Sequence, residues 1–163
     1  MLIQRLAIVL ASLWLSVAGA ASDPITPAPP QLDARAYLLV DARTGRVLVD
    51  HNSGLRLPPA SLTKIMTSYI SALELQKGTI SLNDEVPVSV KAWRMKGSLM
   101  FIQEGTRVKL EDILRGIIIQ SGNDASVALA EHIAGSEDVF ADLMNQHALR
   151  LDMLDTNFVN ATG

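Results

Sequence analysis

The chain has no cysteine among its 163 residues, which excludes a disulfide framework, thiolate chemistry and any cysteine–zinc site. Nor does it have a surplus of basic charge. Fourteen Lys and Arg face 17 Asp and Glu for a net −3, so there is no electrostatic footprint for nucleic acid. Gly-x-Ser-x-Gly, His-Glu-x-x-His and phosphate-loop patterns are missing, which argues against a nucleophile elbow, a zinc-protease helix and a nucleotide cradle. His51, His132 and His147 are scattered without metal-ligand spacing and read as ordinary surface or half-buried residues. No metal and no cofactor is expected. The longest apolar run falls short of the about 20 residues that a membrane span needs.

That run occupies residues 6–17, broken only by Ser12 and Ser16. It follows a short positive opening that contains Arg5 and precedes Ala18-Gly19-Ala20. This is the pattern of a secretory signal peptide over 1–20, cleaved after Ala20. Removing it takes away one positive charge and no negative one, so the mature charge moves from −3 to −4. Residues 21–31 carry Pro24, Pro27, Pro29 and Pro30 and should form an extended linker. Residues 32–163 are long enough for a real core.

Residues 35–41 and 46–50 read as two strands joined at Ala42-Arg43-Thr44-Gly45. Their centres are apolar on both faces, as in strands that want cover on both sides. Pro58-Pro59 delivers the chain to Ser61. Leu62, Ile65, Met66, Tyr69, Ile70 and Leu73 then fall at helical spacing, with Gly78 placed to cap the end. Residues 79–105 are irregular, with Trp93 and Met100 taken as packing or loop residues. Residues 111–119 and 124–134 read as two apolar helices interrupted by Ser121-Gly122-Asn123. Ser136, followed by Glu137 and Asp138, is a good N-cap. The helix after it should bury Val139, Phe140, Leu143, Met144 and Leu151.

Two short motifs carry chemistry. Ser61-Leu62-Thr63-Lys64 spaces a hydroxyl and an amine one helical turn apart. A serine becomes a useful nucleophile only when a base takes its proton. Lysine can serve if burial lowers its pKa, with Leu62, Ile65 and Met66 expected to exclude the water. The helix start also offers the Ser61 N–H as an oxyanion donor. Thirteen serines and five lysines make about 0.4 such matches by chance, so the motif alone is weak. Ser61 read blandly is an N-cap, Lys64 a solvated side chain, and Asn123 the cap of its helix. Ser-x-Asn also recurs at Ser81-Leu82-Asn83, beside Asp84-Glu85 in what reads as a polar surface turn. Ser121-Gly122-Asn123, between two apolar helices, is the copy that needs a reason. Asn160-Ala161-Thr162 matches a glycosylation sequon and is set aside in a chain of bacterial character.

The surroundings narrow the reading. Ala36-Tyr37-Leu38-Leu39-Val40-Asp41, Pro59-Ala60-Ser61-Leu62-Thr63-Lys64, Gly97-Ser98-Leu99-Met100-Phe101 and Gln120-Ser121-Gly122-Asn123-Asp124-Ala125 together resemble the low-molecular-mass penicillin-binding proteins, serine-type D-alanyl-D-alanine carboxypeptidases. The resemblance implies an α/β (α+β) fold of the β-lactamase/transpeptidase type, an antiparallel sheet flanked by helices plus a helical subdomain. It implies Ser61 as acylated nucleophile, Lys64 as general base, Ser121 as proton relay to the leaving D-alanine, and Asn123 as holder of the substrate amide. The implied partners are peptidoglycan stem peptides ending in D-Ala-D-Ala, with β-lactams as covalent inhibitors. The implied place is the periplasm, with membrane association through a C-terminal anchor that this sequence does not contain.

The family's Lys-Thr-Gly strand also has no counterpart in the sequence. The catalytic domain therefore reads as C-terminally incomplete, and a polypeptide ending at Gly163 is expected to fold poorly and to have little carboxypeptidase activity. Three rivals remain on the residues. A β-lactamase of the same fold is disfavoured by the lack of Glu in residues 155–160 and by Gly122 where aspartate is preferred. A cell-wall endopeptidase of the same fold is disfavoured by the residue 97–101 segment. For a non-catalytic cell-wall-binding fragment, the intact Ser61 and Lys64 argue against a degenerate site, while the missing Lys-Thr-Gly argues for an incomplete one.

Overall fold

The computed structural model describes residues 28–163. The expected signal peptide and the first part of the Pro-rich segment lie outside the described residues. The chain divides into two units, Met1–Leu55 and Arg56–Gly163.

In the first unit β1 (Tyr37–Val40) pairs antiparallel with β2 (Val47–His51), Leu39 opposite Val49, with a register shift between Leu39 and Val40. The turn forms where the sequence placed it because Asp41 organises it. Its Oδ1 accepts from the Arg43 N–H at 3.1 Å and from the Thr44 N–H and hydroxyl at 2.7 Å each. Such Asx-type bonding stabilises a tight reversal. Tyr37 stacks on His51 at 5.0 Å as a cross-strand pair. Leu38, Leu39 and Val47 are exposed.

The second unit is mainly helical. A 3-10 turn (Ala60–Leu62) leads into α1 (Thr63–Lys77), which ends on Gly78 in the left-handed conformation at φ 74°. There follow β3 (Glu85–Pro87), the short α2 (Val90–Trp93), β4 (Arg107–Lys109), α3 (Leu110–Gln120), α4 (Asn123–Ala134) and α5 (Glu137–Arg150). β3 and β4 form a small antiparallel ribbon with Val86 opposite Val108. Three-residue strands are too short for alternation to announce them, so β3 falls inside the stretch 79–105 expected to be irregular and β4 lies just beyond it. Helix α4 is central, packing on α1, α2, α3, α5 and β3. Every residue from 124 to 130 in it is buried, and its small side chains let neighbouring backbones approach closely. Ser136 caps α5 as expected, its Oγ accepting from the Val139 N–H at 3.2 Å. Among the described residues no helix is long and apolar enough to cross a membrane.

Two expected apolar stripes are corrected. On α1 only Met66 and Ile70 of the expected set are fully buried, while Leu62 and Ile65 are 67% and 68% exposed. The packed face also carries Thr63, Lys64, Thr67 and Ser71. Lys64 and Thr67 meet the backbone carbonyls of Thr162 and Ala161, and Ser71 bonds back to the Ser68 carbonyl of its own helix. On α5, Phe140, Met144, His147 and Ala148 are buried while Val139 and Leu151 are exposed. Positions i, i+4, i+7 and i+8 share one helical face, and Val139 sits a hundred degrees round from it.

His147, expected at or near the surface, is buried with its Nε2 unpartnered. It meets the Tyr69 ring edge-on at 5.7 Å. Burial pushes its pKa below the ordinary 6.5; Arg150 and Lys77 add to the depression and Glu74 opposes it. The unfolded chain therefore takes up a proton that the folded one resists, so stability is full above about pH 6.5 and falls as pH drops below it. The urea midpoint is expected to decrease between about pH 7 and pH 5, with His147→Leu flattening that dependence. An unchanged slope in the variant would count against this account.

Candidate active site

Pro58-Pro59 stiffens the approach to the 3-10 turn, and Ser61 sits in that turn, not on the regular helix that follows. The turn still sets Ser61 one turn before Lys64. Lys64 Nζ donates to Ser61 Oγ at 3.1 Å. The same amine donates to the Thr162 carbonyl at 3.1 Å, and Lys64 as a whole is only 5% exposed. No carboxylate pairs with it among the described residues, and burial lowers its pKa below the ordinary 10.5. A buried cation without a counter-ion favours its neutral form, which is the form that can take a proton from a hydroxyl.

The cover over Lys64 corrects the sequence reading. Leu62 and Ile65 face outward, and the water is excluded by residues 158–163 instead. Ala161 and Thr162 are buried, and each turn of this strap has a side-chain partner. Asn145 Oδ1 accepts from the Phe158 N–H at 2.7 Å and its Nδ2 donates to the Phe158 carbonyl at 2.8 Å. The Phe158 ring packs with Met66, Ile70, Phe140 and Met144. Thr67 Oγ1 donates to the Ala161 carbonyl at 2.9 Å, and the Ala161 N–H donates to Glu137 Oε1 at 3.0 Å. Asn160, set aside as a sequon, accepts from the N–H groups of Thr162 and Gly163 at 2.9 and 2.6 Å. Gly163 lies so close to Ala60 that a Cβ there would overlap the Ala60 carbonyl. A backbone carbonyl acting on Lys64 leaves no mark in residue type, which is why sequence reading missed it.

The second motif is a break between helices. Ser121 ends α3 in the left-handed conformation, φ 54° and ψ 39°, and Gly122 is the N-cap of α4. Helix α1, which carries Lys64, packs on both helices joined by this break. No hydrogen bond joins Ser121 or Asn123 to Ser61 or Lys64 among the described residues. Asn123 holds the neighbouring loop: its Nδ2 donates to the Lys96 carbonyl at 2.6 Å and its N–H to the Ser98 carbonyl at 2.8 Å. Gly97, at φ +89°, passes under that side chain; a Cβ there would come within 2.9 Å of Asn123 Nδ2. Ser98 Oγ donates to the Gln120 carbonyl. The decoy motif is different, since Ser81 and Asn83 are exposed in a turn capped by Asp84.

Asp124 completes the arrangement. It is 1% exposed, and its carboxylate accepts from the N–H groups of Met100 and Ile102 at 2.9 and 3.2 Å. Between them Phe101 stands 77% exposed at φ 64°, a costly conformation for a bulky residue. Gly122 is needed beneath, because a Cβ there would lie 3.0 Å from Asp124 Oδ1 and 3.2 Å from the Met100 nitrogen. Among the described residues no cluster of three His, Cys, Asp or Glu side chains is placed to hold a metal. Charge-assisted bonds of this kind contribute about 1.5–3 kcal/mol each. With two such bonds, Asp124→Ala should destabilise the protein by about 3–6 kcal/mol and speed amide exchange at Met100 and Ile102 more than at Val127. Equal effects at all three amides would refute a local role.

A sequence profile of peptidase family S11, D-alanyl-D-alanine carboxypeptidase, matches residues 23–163. The D-alanyl-D-alanine carboxypeptidase DacC of Escherichia coli K12 is 42% identical over 168 residues, covering 99% of this chain and 42% of that protein. The crystal structure of the D-alanyl-D-alanine carboxypeptidase DacD from Francisella tularensis superposes with a TM-score of 0.75 at 44% identity, over 85% of this chain and 34% of the other. Penicillin binding protein 5 from Haemophilus influenzae superposes with a TM-score of 0.76 at 40% identity, over 85% and 41%. The chain thus spans less than half the length of these relatives. It has their mixed α/β fold, and it belongs to the D-alanyl-D-alanine carboxypeptidase family S11.

Proposed function

We propose that the natural protein carrying this chain is a serine-type carboxypeptidase that removes the terminal D-alanine from peptidoglycan pentapeptides. The observation that carries the reading is the buried Lys64 amine, 3.1 Å from Ser61 Oγ and without a carboxylate partner among the described residues. Neutral Lys64 accepts the Ser61 proton as Oγ attacks the carbonyl carbon of the penultimate D-alanine. The Ser61 N–H at the helix start is one donor to the oxyanion. The C–N bond then breaks, and Ser121 passes a proton to the departing D-alanine nitrogen. Asn123 holds the substrate amide. Water, activated by the same lysine, hydrolyses the acyl-enzyme, and a β-lactam arrests the cycle at the ester.

In this scheme residues 1–20 are a signal peptide, 21–31 a linker, and 32–163 part of the catalytic domain of a periplasmic enzyme. The family membership and the matches to carboxypeptidases support the reaction over the β-lactamase, endopeptidase and non-catalytic alternatives. Labelled penicillin followed by mass mapping of the natural protein should mark Ser61. Ser61→Ala should abolish the label, and Lys64→Met should slow acylation by about 10²–10⁴-fold. The acylation rate should rise with pH through a limb below the ordinary lysine value of 10.5, because Lys64 must be neutral to act. Label retained in Ser61→Ala would defeat the assignment.

A further inference from the structure

We propose that Glu137 is a positioning residue for the Ser61–Lys64 pair, acting through the backbone of Ala161 and Thr162, with Lys91 as its charge partner. The inference rests on the acyl-transfer reading above and adds a residue to it.

An acidic side chain in the first turn of a helix ordinarily lies in solvent and contributes a few tenths of a kcal/mol through the helix dipole. Glu137 is different. It is 6% exposed, and both of its oxygens are engaged. Oε1 accepts from the Ala161 N–H at 3.0 Å and Oε2 pairs with Lys91 Nζ at 2.9 Å. The cap of α5 is already supplied by Ser136, so Glu137 is not needed for that purpose. A buried carboxylate is tolerated only when it is paired and hydrogen-bonded. Lys91 meets the first condition: its bond to Glu137 raises its pKa, with Asp138 and Glu131 adding to the effect. Asp138, 3.9 Å from Lys91, is 90% exposed and forms the rim.

The geometry carries this pairing to the reacting atoms. Ala161 is gripped at both ends of its backbone, its N–H by Glu137 and its carbonyl by Thr67. The next carbonyl, that of Thr162, accepts from Lys64 Nζ. The groups between the Ala161 N–H and the Thr162 carbonyl are themselves held, the Ala161 carbonyl by Thr67 and the Thr162 N–H by Asn160. Loosening the Ala161 N–H therefore releases one anchor of the short strap that places the Thr162 carbonyl over Lys64, and water enters as the strap shifts. Lys64 owes its lowered pKa to desolvation alone. A hydrated Lys64 returns toward the ordinary lysine value, and each unit of return removes about nine-tenths of the neutral base.

The test is the rate of Ser61 acylation by a fluorescent penicillin, measured against pH on the natural protein and its variants. Glu137→Ala is expected to slow acylation at neutral pH about tenfold or more and to move the acid limb to higher pH. Glu137→Gln, which keeps an acceptor for the Ala161 N–H, is expected to stay within about threefold of the unsubstituted protein. Lys91→Met, at a half-exposed site, should shift the limb the same way by less, and it serves if Glu137→Ala does not fold. A lowered melting temperature with an unshifted limb in these variants would overturn the proposal, since that is all a purely structural role predicts. Absence of Ser61 label in the unsubstituted protein would instead defeat the acyl-transfer reading, and this inference with it.

Discussion

A lysine amine held out of water, without a counter-charge among the described residues, beside a serine hydroxyl is the constraint from which the rest of the second unit follows. Burying an ammonium group is costly unless its protons find acceptors. Lys64 finds two, Ser61 Oγ and the Thr162 carbonyl, and neither is charged. A carboxylate in either place would hold the proton on the amine and end its use as a base. The oxygen atoms are neutral acceptors, so they lower the cost of burial while leaving the amine able to lose its proton.

Satisfying that one group dictates the neighbours. The strap of residues 158–163 brings buried backbone N–H and C=O groups with it, and each of these needs a partner. Thr67, Glu137, Asn145 and Asn160 supply them. This is why the packed face of α1 is rich in hydroxyls while Leu62 and Ile65 face outward. The second motif follows a parallel logic. Ser121 and Phe101 both occupy left-handed backbone. The chain tolerates this because Asp124 and Asn123 tie the residue 96–102 loop to the start of α4. Strain of that kind persists only where its surroundings over-determine it, and here those surroundings flank the Ser121-Gly122-Asn123 break.

Much of this was legible from residue order. Helix positions followed from apolar spacing and from Gly78 and Ser136, and the hairpin turn followed from Asp41 to Gly45. The pairing of Ser61 with Lys64 needed only their separation along one turn. The buried faces of α1 and α5 were less legible. Periodicity shows which residues share a face, but it does not show that Lys64 and Thr67 face the carbonyls of Thr162 and Ala161, or that Val139 is turned away from Phe140. The β3–β4 ribbon was invisible because three residues carry no period.

The sequence by itself determined the family, the order of helices and the pairing of Ser61 with Lys64, because these depend on local spacing and on motifs a few residues long. Only the tertiary structure decided what shields the Lys64 amine from water. The strap that covers it meets the amine through Thr162, 98 positions away, by a backbone carbonyl whose identity as an acceptor is the same at every residue. The roles of Glu137 and Lys91 were likewise decided in space, since their pairing joins the starts of two helices that the chain keeps far apart.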